Sequence, residues 1–469
     1  MDHVSETPRP AAASDAATTD PATSDAATRD PAPIAGPLAT APIAVPDLTR
    51  RGFLRGAAIT GGGLVAATLA ACAPASPTPG WTYGPIATPA AAAGSPTPIP
   101  ATPGPSASAA ASATPAATNL PAGWTEHDLA ARNVVRRYVG NLAPALEGIF
   151  GGAAFAKLAD MLAVDEAYPE LEKKPAFVQV PQLVLSDLLS PLTPELDGDV
   201  KVFRLTIDEI EQAKDEMSPP LPALGYNKQT PGPTIRVTEG DKVRAIFTNN
   251  LKETTGVHFH GVEFEDFFQD GVPFVTQKPF APGESYTYEF TAGRSGSLMY
   301  HSHHNATDQV GRGLLGAFIV DPANPTEVDI VDRDYIWISN DVLGGFTING
   351  HGFPAVVPIL AAVGEKVRVR FMNEGIMYHP FHSHGYKQTV VARDGYPLGA
   401  GAYGADTITV GPGERWDVNI ETDRPGLWAF HCHILPHVEG ADGMFGMVNV
   451  LIVVPEKAHV DAIVQALLA

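Results

Sequence analysis

The sequence predicts an all-β fold: two tandem Greek-key β-sandwich domains behind a small N-terminal helical extension. Three observations carry this. Short alternating or β-branched runs, at 243–247, 286–290 and 367–371, are punctuated by Gly, Pro and Asn turns such as Asn349-Gly350. Thr238-Glu239-Gly240-Asp241-Lys242-Val243-Arg244 is echoed by Ala362-Val363-Gly364-Glu365-Lys366-Val367-Arg368, and Pro282-Gly283-Glu284 by Pro412-Gly413-Glu414. Each of those glycines lies 18 residues before a histidine: Gly240 before His258, Gly283 before His301, Gly364 before His382 and Gly413 before His431. Two copies, 200–322 and 323–456, therefore share one architecture, on a period far too long for a solenoid.

The flanking segments read differently. Residues 1–48 are rich in Ala, Pro, Asp and Thr without periodicity and are expected to be disordered. Thr49-Arg50-Arg51-Gly52-Phe53-Leu54-Arg55, followed by an apolar run to Ala71, is a twin-arginine signal pattern. The run is short for a membrane span. Leu69-Ala70-Ala71-Cys72 resembles a bacterial lipobox, so Cys72 is the expected lipidation site, closing a leader of residues 1–72. Residues 73–122 are a Pro/Ala/Ser/Thr-rich linker. In 123–199, Thr125 and Asp128 read as an N-cap and N3 acid ahead of apolar residues at helical spacing through Leu142, and a second helix is expected through Phe155, Leu158 and Leu162. His127 is expected to be a solvated first-turn residue, and 457–469 a C-terminal tail. The net charge of −21 argues against nucleic acid as a partner. The two cysteines, Cys72 and Cys432, make no disulfide framework.

Chemistry is concentrated in four histidine motifs. They are His258-Phe259-His260, His301-Ser302-His303, His379-Pro380-Phe381-His382-Ser383-His384, and His431-Cys432-His433-Ile434-Leu435-Pro436-His437 followed by Gly443-Met444. On a strand, i and i+2 side chains share a face, so each His-x-His pair can serve one metal cluster. Cys432 then faces away from His431 and His433, and its backbone can link two metal centres. Two histidines, one cysteine and a weak axial methionine form the ligand set of blue-copper electron transfer.

These motifs, in this order within a repeat, resemble those of the laccase-like multicopper oxidases of the cupredoxin family, in a two-domain form exported by a twin-arginine signal. The resemblance covers about 200–456 and implies two cupredoxin-like sandwiches. It implies four coppers per chain: one type 1, one type 2 and two type 3. Type 1 copper would be held by His379, Cys432, His437 and Met444, with His437 as the exposed ligand. The trinuclear cluster would take His258, His260, His301, His303, His382, His384, His431 and His433. The family usually has its axial residue five positions after the last histidine, which here is Asp442, so a two-residue insertion precedes Met444. Met447 reads better as core. In the repeat's register His379, Cys432, His437 and Met444 align with Thr255, Ser302, Thr307 and Leu314, so type 1 copper is expected only in the second domain. Gln269-Asp270-Gly271-Val272-Pro273-Phe274 matches the family's first-motif continuation, which makes Asp270 the catalytic proton donor beside the cluster. Glu263, Glu265 and Asp266 read as a solvated loop, and His304, His351 and His459 as surface or outer-sphere residues.

The implied function couples oxidation of a small reducing substrate, a phenol or a metal ion, to reduction of O2 to water. A copper nitrite reductase shares the two-domain plan but uses an isolated type 2 copper. A copper-free cupredoxin scaffold of the cell envelope would lack ligands, and none is missing here. No spacer domain fits between His303 and His379, so two-domain relatives imply a homotrimer with trinuclear sites between chains. The expected location is periplasmic or cell-surface, with membrane contact only through a lipid anchor at Cys72.

Overall fold

The computed structural model describes residues 124–140, 142–152, 156–157, 191–215, 218–343 and 345–468. The expected leader, Cys72, the linker and the helix through Phe155, Leu158 and Leu162 lie outside the described residues. In the first domain one sheet runs Glu195–Asp197, Val200–Gln212, Lys242–Asn249, Ser285–Thr291, with Leu221–Tyr226 also paired to Val200–Gln212. The opposing sheet runs Gly232–Thr238, Leu315–Asp321, Gly296–Ser302, Val257–His260. The second domain repeats the plan. Thr347–Ile348, Arg333–Asn340, Lys366–Asn373, Arg415–Glu421 and Gln388–Arg393 face Ile359–Ala362, Val448–Val454, Gly426–Cys432, His379–Ser383 and Thr407–Val410. Val200–Gln212 pairs in parallel with Lys242–Asn249, and Arg333–Asn340 does the same with Lys366–Asn373. The all-β double sandwich read from the sequence is borne out.

Alternation puts aromatic side chains inside. Phe247 meets Phe259, Tyr288 and Tyr300 in the first core, and Trp337 meets Phe371, Phe381 and Phe430 in the second. Burying each is worth roughly 1.5–3 kcal/mol, so these clusters fix the sheet spacing on which the metal motifs sit.

The domains also pack on each other, which no sequence pattern announced. Met299, Leu315, Ala317 and Ile319 of the first domain and Ile336, Ile338 and Met372 of the second form one buried cluster. Beside it, buried Arg370 donates to Asp334 at 2.7 and 2.9 Å and to Ser297 Oγ at 2.7 Å, while Ser297 donates to Asp417 at 2.6 Å. A buried, paired network like this adds little net stability, but losing one partner would leave an uncompensated buried charge.

Helix α1, Glu126–Gly140, begins with a reciprocal cap, Asp128 N–H to Thr125 Oγ1 at 3.3 Å and Thr125 N–H to Asp128 at 2.6 Å. Helix α2 spans Ala143–Phe150. Val134, Tyr138, Leu142 and Leu146 enter the core of the second domain rather than of the first, which adjoins them in sequence. The expected tail is helix α3, Lys457–Leu468, whose Val460, Ile463 and Leu467 fill the same core.

Candidate metal centres

The strand Gly426–Cys432 alternates, with Cys432 buried and His431 half-buried on the other face. Cys432 Sγ lies 3.8 Å from His379 Nδ1 and 3.7 Å from His437 Nδ1. These three side chains are 0, 0 and 2% exposed, a convergent and fully enclosed donor set. Burial pushes the Cys432 thiol up to about 11, so only a bound cation would hold it as thiolate near neutral pH. His379 Nε2 faces the Asp341 carboxylate at 3.2 Å, which leaves Nδ1 with the lone pair that points at Cys432. Asp341 is itself clamped by the Ile376 and Met377 N–H groups at 2.8 and 2.7 Å. Burial works against its charge, but His379 and those two donors hold the carboxyl below its ordinary range. A soft sulfur and two Nδ1 donors in one dry space fit copper.

His437 is not the exposed ligand that was expected. The Phe346 ring stacks on it with centroids 3.8 Å apart and planes at 17°. Phe346 comes from a loop far upstream in sequence, so nothing near His437 signalled the cover. Met444 pairs with Glu439 in the hairpin just past His437 and packs at the edge of the core that holds Cys432. Met447 is fully buried in that core, and Asp442 is exposed.

The remaining histidines form two separate groups. In the first domain His258 and His301 are cross-strand partners, and His260 Nδ1 lies 3.3 Å from His301 Nε2. The His258 ring is 5.5 Å from that of His303. In the second domain His382 and His431 are cross-strand partners, and His384 Nε2 lies 3.1 Å from His431 Nε2. The His382 ring is 5.5 Å from that of His433. Backbone carbonyls select the tautomer, because a carbonyl only accepts. His258 Nδ1–H donates to Asp270 O at 2.6 Å and His382 Nδ1–H to Asp406 O at 3.0 Å. His301 donates to its neighbour Ser302 O at 2.9 Å, and His431 to Cys432 O at 2.8 Å. All four thus keep Nε2 free as a metal donor. No hydrogen bond or ring contact joins the two groups among the described residues. His384 and His433 are exposed, so the second group opens to solvent.

In the first group burial, aided by the Arg415 charge, lowers His260 to about 3, and burial lowers His258 and His301 to about 4. The metal-free protein is therefore expected to lose stability as pH falls from about 6.5 to about 4, where the unfolded chain binds protons that the folded one refuses. Each such proton is worth about 1.4 kcal/mol per pH unit, or a few degrees of Tm. Calorimetry of metal-free protein at pH 7, 6 and 5 checks this, and a flat profile would contradict it.

Asp270 follows the one-turn 3-10 helix Phe267–Gln269, its side chain about a third exposed and Oδ1 3.5 Å from His258 Nδ1. Gly271 has φ +87°, and a Cβ there would sit 1.8 Å from Val257 O. Only glycine lets the loop press Asp270 onto the His258 strand. Of the other candidates, Glu263 binds Arg294 and the Tyr396 hydroxyl at 3.1 and 2.6 Å, and Asp266 caps the 3-10 turn. His351 is a core residue rather than a surface one, 5% exposed and bonded to Ala213 O at 3.1 Å.

The first domain has filled its own version of the enclosed site. Gln309 Oε1 accepts from Thr255 Oγ1 at 2.8 Å and from Ser302 Oγ at 2.6 Å, the positions that align with His379 and Cys432. Its amide donates to Thr254 O at 2.9 Å. A neutral, satisfied trio stands there, and single residues gave no sign of it. His127 is not merely solvated either: its ring nitrogens lie 3.2 Å from both Ala441 O and the Glu439 carboxylate.

Comparison with known proteins agrees with this geometry. Residues 209–325 and 321–455 each match a family model described as multicopper oxidase. The solved structure of the multicopper oxidase mgLAC is 37% identical with a TM-score of 0.52, over 54% of this chain and 86% of that one. The blue copper oxidase from Nitrosomonas europaea is 32% identical with a TM-score of 0.50, again over 54% of this chain and 86% of that one. Laccase-2 of Botryotinia fuckeliana is 30% identical over 47% of this chain and 45% of its own. The chain spans about half the length of the curated relatives it matches. Both sandwiches are matched, and the solved relatives are covered over most of their length: the chain belongs to the multicopper oxidase family.

Proposed function

We propose that this chain is a laccase-type oxidase that couples one-electron oxidation of a phenol or a reduced metal ion to four-electron reduction of O2 to water. The observation that carries it is Cys432: its sulfur closes the enclosed donor set, and its carbonyl accepts from His431. One residue so joins the buried centre to the open histidine group by covalent and hydrogen bonds. The coppers, four per chain in this reading, supply one-electron acceptance and O2 binding when bound. The chain supplies the rest. His379, Cys432, His437 and Met444 would hold type 1 copper; Asp341 orients His379; Phe346 shields His437 from water. His258, His260, His301 and His303 would hold one half of a trinuclear site, and His382, His384, His431 and His433 the other. Oxygen uptake over a panel of phenols, Fe(II), Mn(II) and Cu(I) is the test. Nitrite reduction without O2 uptake would return the chain to the nitrite reductase reading, and a copper-free active fold to the scaffold reading.

Two half-sites with no hydrogen bond or ring contact between them among the described residues support assembly between chains. Phe274 and Val275, 80 and 73% exposed, flank the first group, with Phe274 6.3 Å from the His304 ring. A heterologous contact, first domain to second domain of the next chain, closes into a ring where the rotation permits, and six domains in that ring make the trimer that the resemblance to two-domain relatives implies. Light scattering is expected to give three chains per particle at full copper loading, and an active, fully loaded monomer would overturn this. Export by the twin-arginine pattern, to the periplasm or cell surface with a lipid on Cys72, completes the reading. Among the described residues no helix is long and apolar enough to cross a membrane.

A further inference from the structure

The N-terminal helix does something beyond filling a core. Its first turn reaches the hairpin that carries Met444, formed by Glu439–Gly440 and Gly443–Met444. His127 touches the hairpin's first strand and its turn, Nε2 to the Glu439 carboxylate and Nδ1 to Ala441 O, each at 3.2 Å. Both acceptors lack hydrogens, so the ring satisfies them together only as a double N–H donor. One turn further along α1, Ala131 packs on Gly443 so closely that a Cβ on Gly443 would lie 2.6 Å from Ala131 Cα. Near the helix's end the Tyr138 ring meets Phe353 with centroids 4.8 Å apart and planes tilted by 35°, and the Phe353 N–H donates to Gly446 O at 2.8 Å. Gly446 in turn lies against His437 O, with no room for a side chain. The helix therefore holds the loop that follows His437 at its turn, at Gly443 and at Gly446.

This is the loop in which the sequence carries two residues more than the family's usual spacing. A longer loop has more ways to place its methionine, and something must choose among them. We propose that α1 is a brace for this loop, and that His127 and Ala131 are positioning residues that set where the Met444 thioether stands relative to Cys432. The proposal rests on the reading of Met444 as the axial ligand. The axial contact in such sites is weak and long, and it tunes the reduction potential, so a small displacement of the hairpin is registered by the copper spectrum before it is registered by stability.

The test uses the full copper-loaded protein. His127→Ala removes both contacts from an exposed position, and Gly443→Ala pushes the hairpin off the helix. Both are expected to shift the thiolate-to-copper absorption band, the type 1 paramagnetic resonance splitting and the midpoint potential, with copper content unchanged. His127→Asn, which keeps a donor near the Nδ1 position, is expected to return the band most of the way. In metal-free His127→Ala, hydrogen exchange at the Phe445 and Met447 amides is expected to rise, because their acceptors Val438 O and His437 O lie in the braced loop. Met444→Leu separates the two ideas. If it moves the band while His127→Ala and Gly443→Ala leave band, splitting and potential at wild-type values, the brace is wrong and the axial ligand stands. If Met444→Leu leaves the band unmoved, the axial assignment falls and the brace with it.

Discussion

Cys432→Ser is expected to yield a protein without blue colour and without turnover that still keeps the copper of its histidine groups. The serine hydroxyl is hard and does not ionise near neutral pH, so the enclosed site loses the one donor that a blue centre requires. His379 and His437 remain, with their Nδ1 atoms still aimed at the vacated position. The second histidine group is untouched, because His431 Nδ1 bonds to the carbonyl of residue 432 and not to its side chain. The fold should also survive. Cys432 is buried among apolar neighbours, and replacing sulfur by oxygen in an almost isosteric side chain costs about 1–3 kcal/mol for an unsatisfied hydroxyl. Visible absorption, copper analysis and oxygen uptake on one preparation check the result. A mutant that stays blue would show that the thiolate comes from elsewhere, and the only other cysteine in the chain is Cys72.

What the sequence made legible was periodic or local. Alternation around His431, Cys432 and His433 gave opposite faces, and the glycine-to-histidine spacing gave two equivalent sandwiches with their histidines at equivalent cross-strand positions. What it hid depends on residues that meet only in three dimensions. Asp341 approaches His379 from the end of a strand in the opposing sheet, and Phe346 covers His437 from the loop that follows it; both look like ordinary loop residues in the chain. Because that cover leaves no mark near His437 in the chain, the sequence suggests an exposed ligand where the structure has a buried one. Gln309 shows the same limit from the other side. The absence of ligands in the first domain was readable from Thr255 and Ser302, but the side chain that replaces a metal between them was not. Nothing in the helical segment's own sequence points to the contacts that His127 makes with a hairpin some 300 residues away.

The second large effect is expected at Asp270. Reducing O2 to two waters consumes four protons as well as four electrons, so a group that holds and delivers protons beside the histidine cluster has a rate to control. The Asp270 carboxyl sits beside His258 while remaining about a third exposed, which connects it to solvent for reprotonation. Its backbone does a different job, accepting from His258 Nδ1 and fixing that ring's tautomer. Asp270→Asn separates the two. The carbonyl stays in place, so the His258 orientation and copper content should not change, while the ionisable proton is gone. Reduction of the blue centre by substrate is then expected to keep its rate, whereas reoxidation by O2 slows by about 10²–10⁴-fold, the usual contribution of a positioned proton donor. Stopped-flow measurement of the two half-reactions distinguishes them. Unchanged reoxidation in a fully loaded mutant would leave Asp270 with its backbone role alone. A parallel loss of copper would instead mean that the side chain helps to hold the loop that Gly271 presses against Val257, and Asp270→Glu, which keeps the acid but lengthens the arm, would then fail to restore loading.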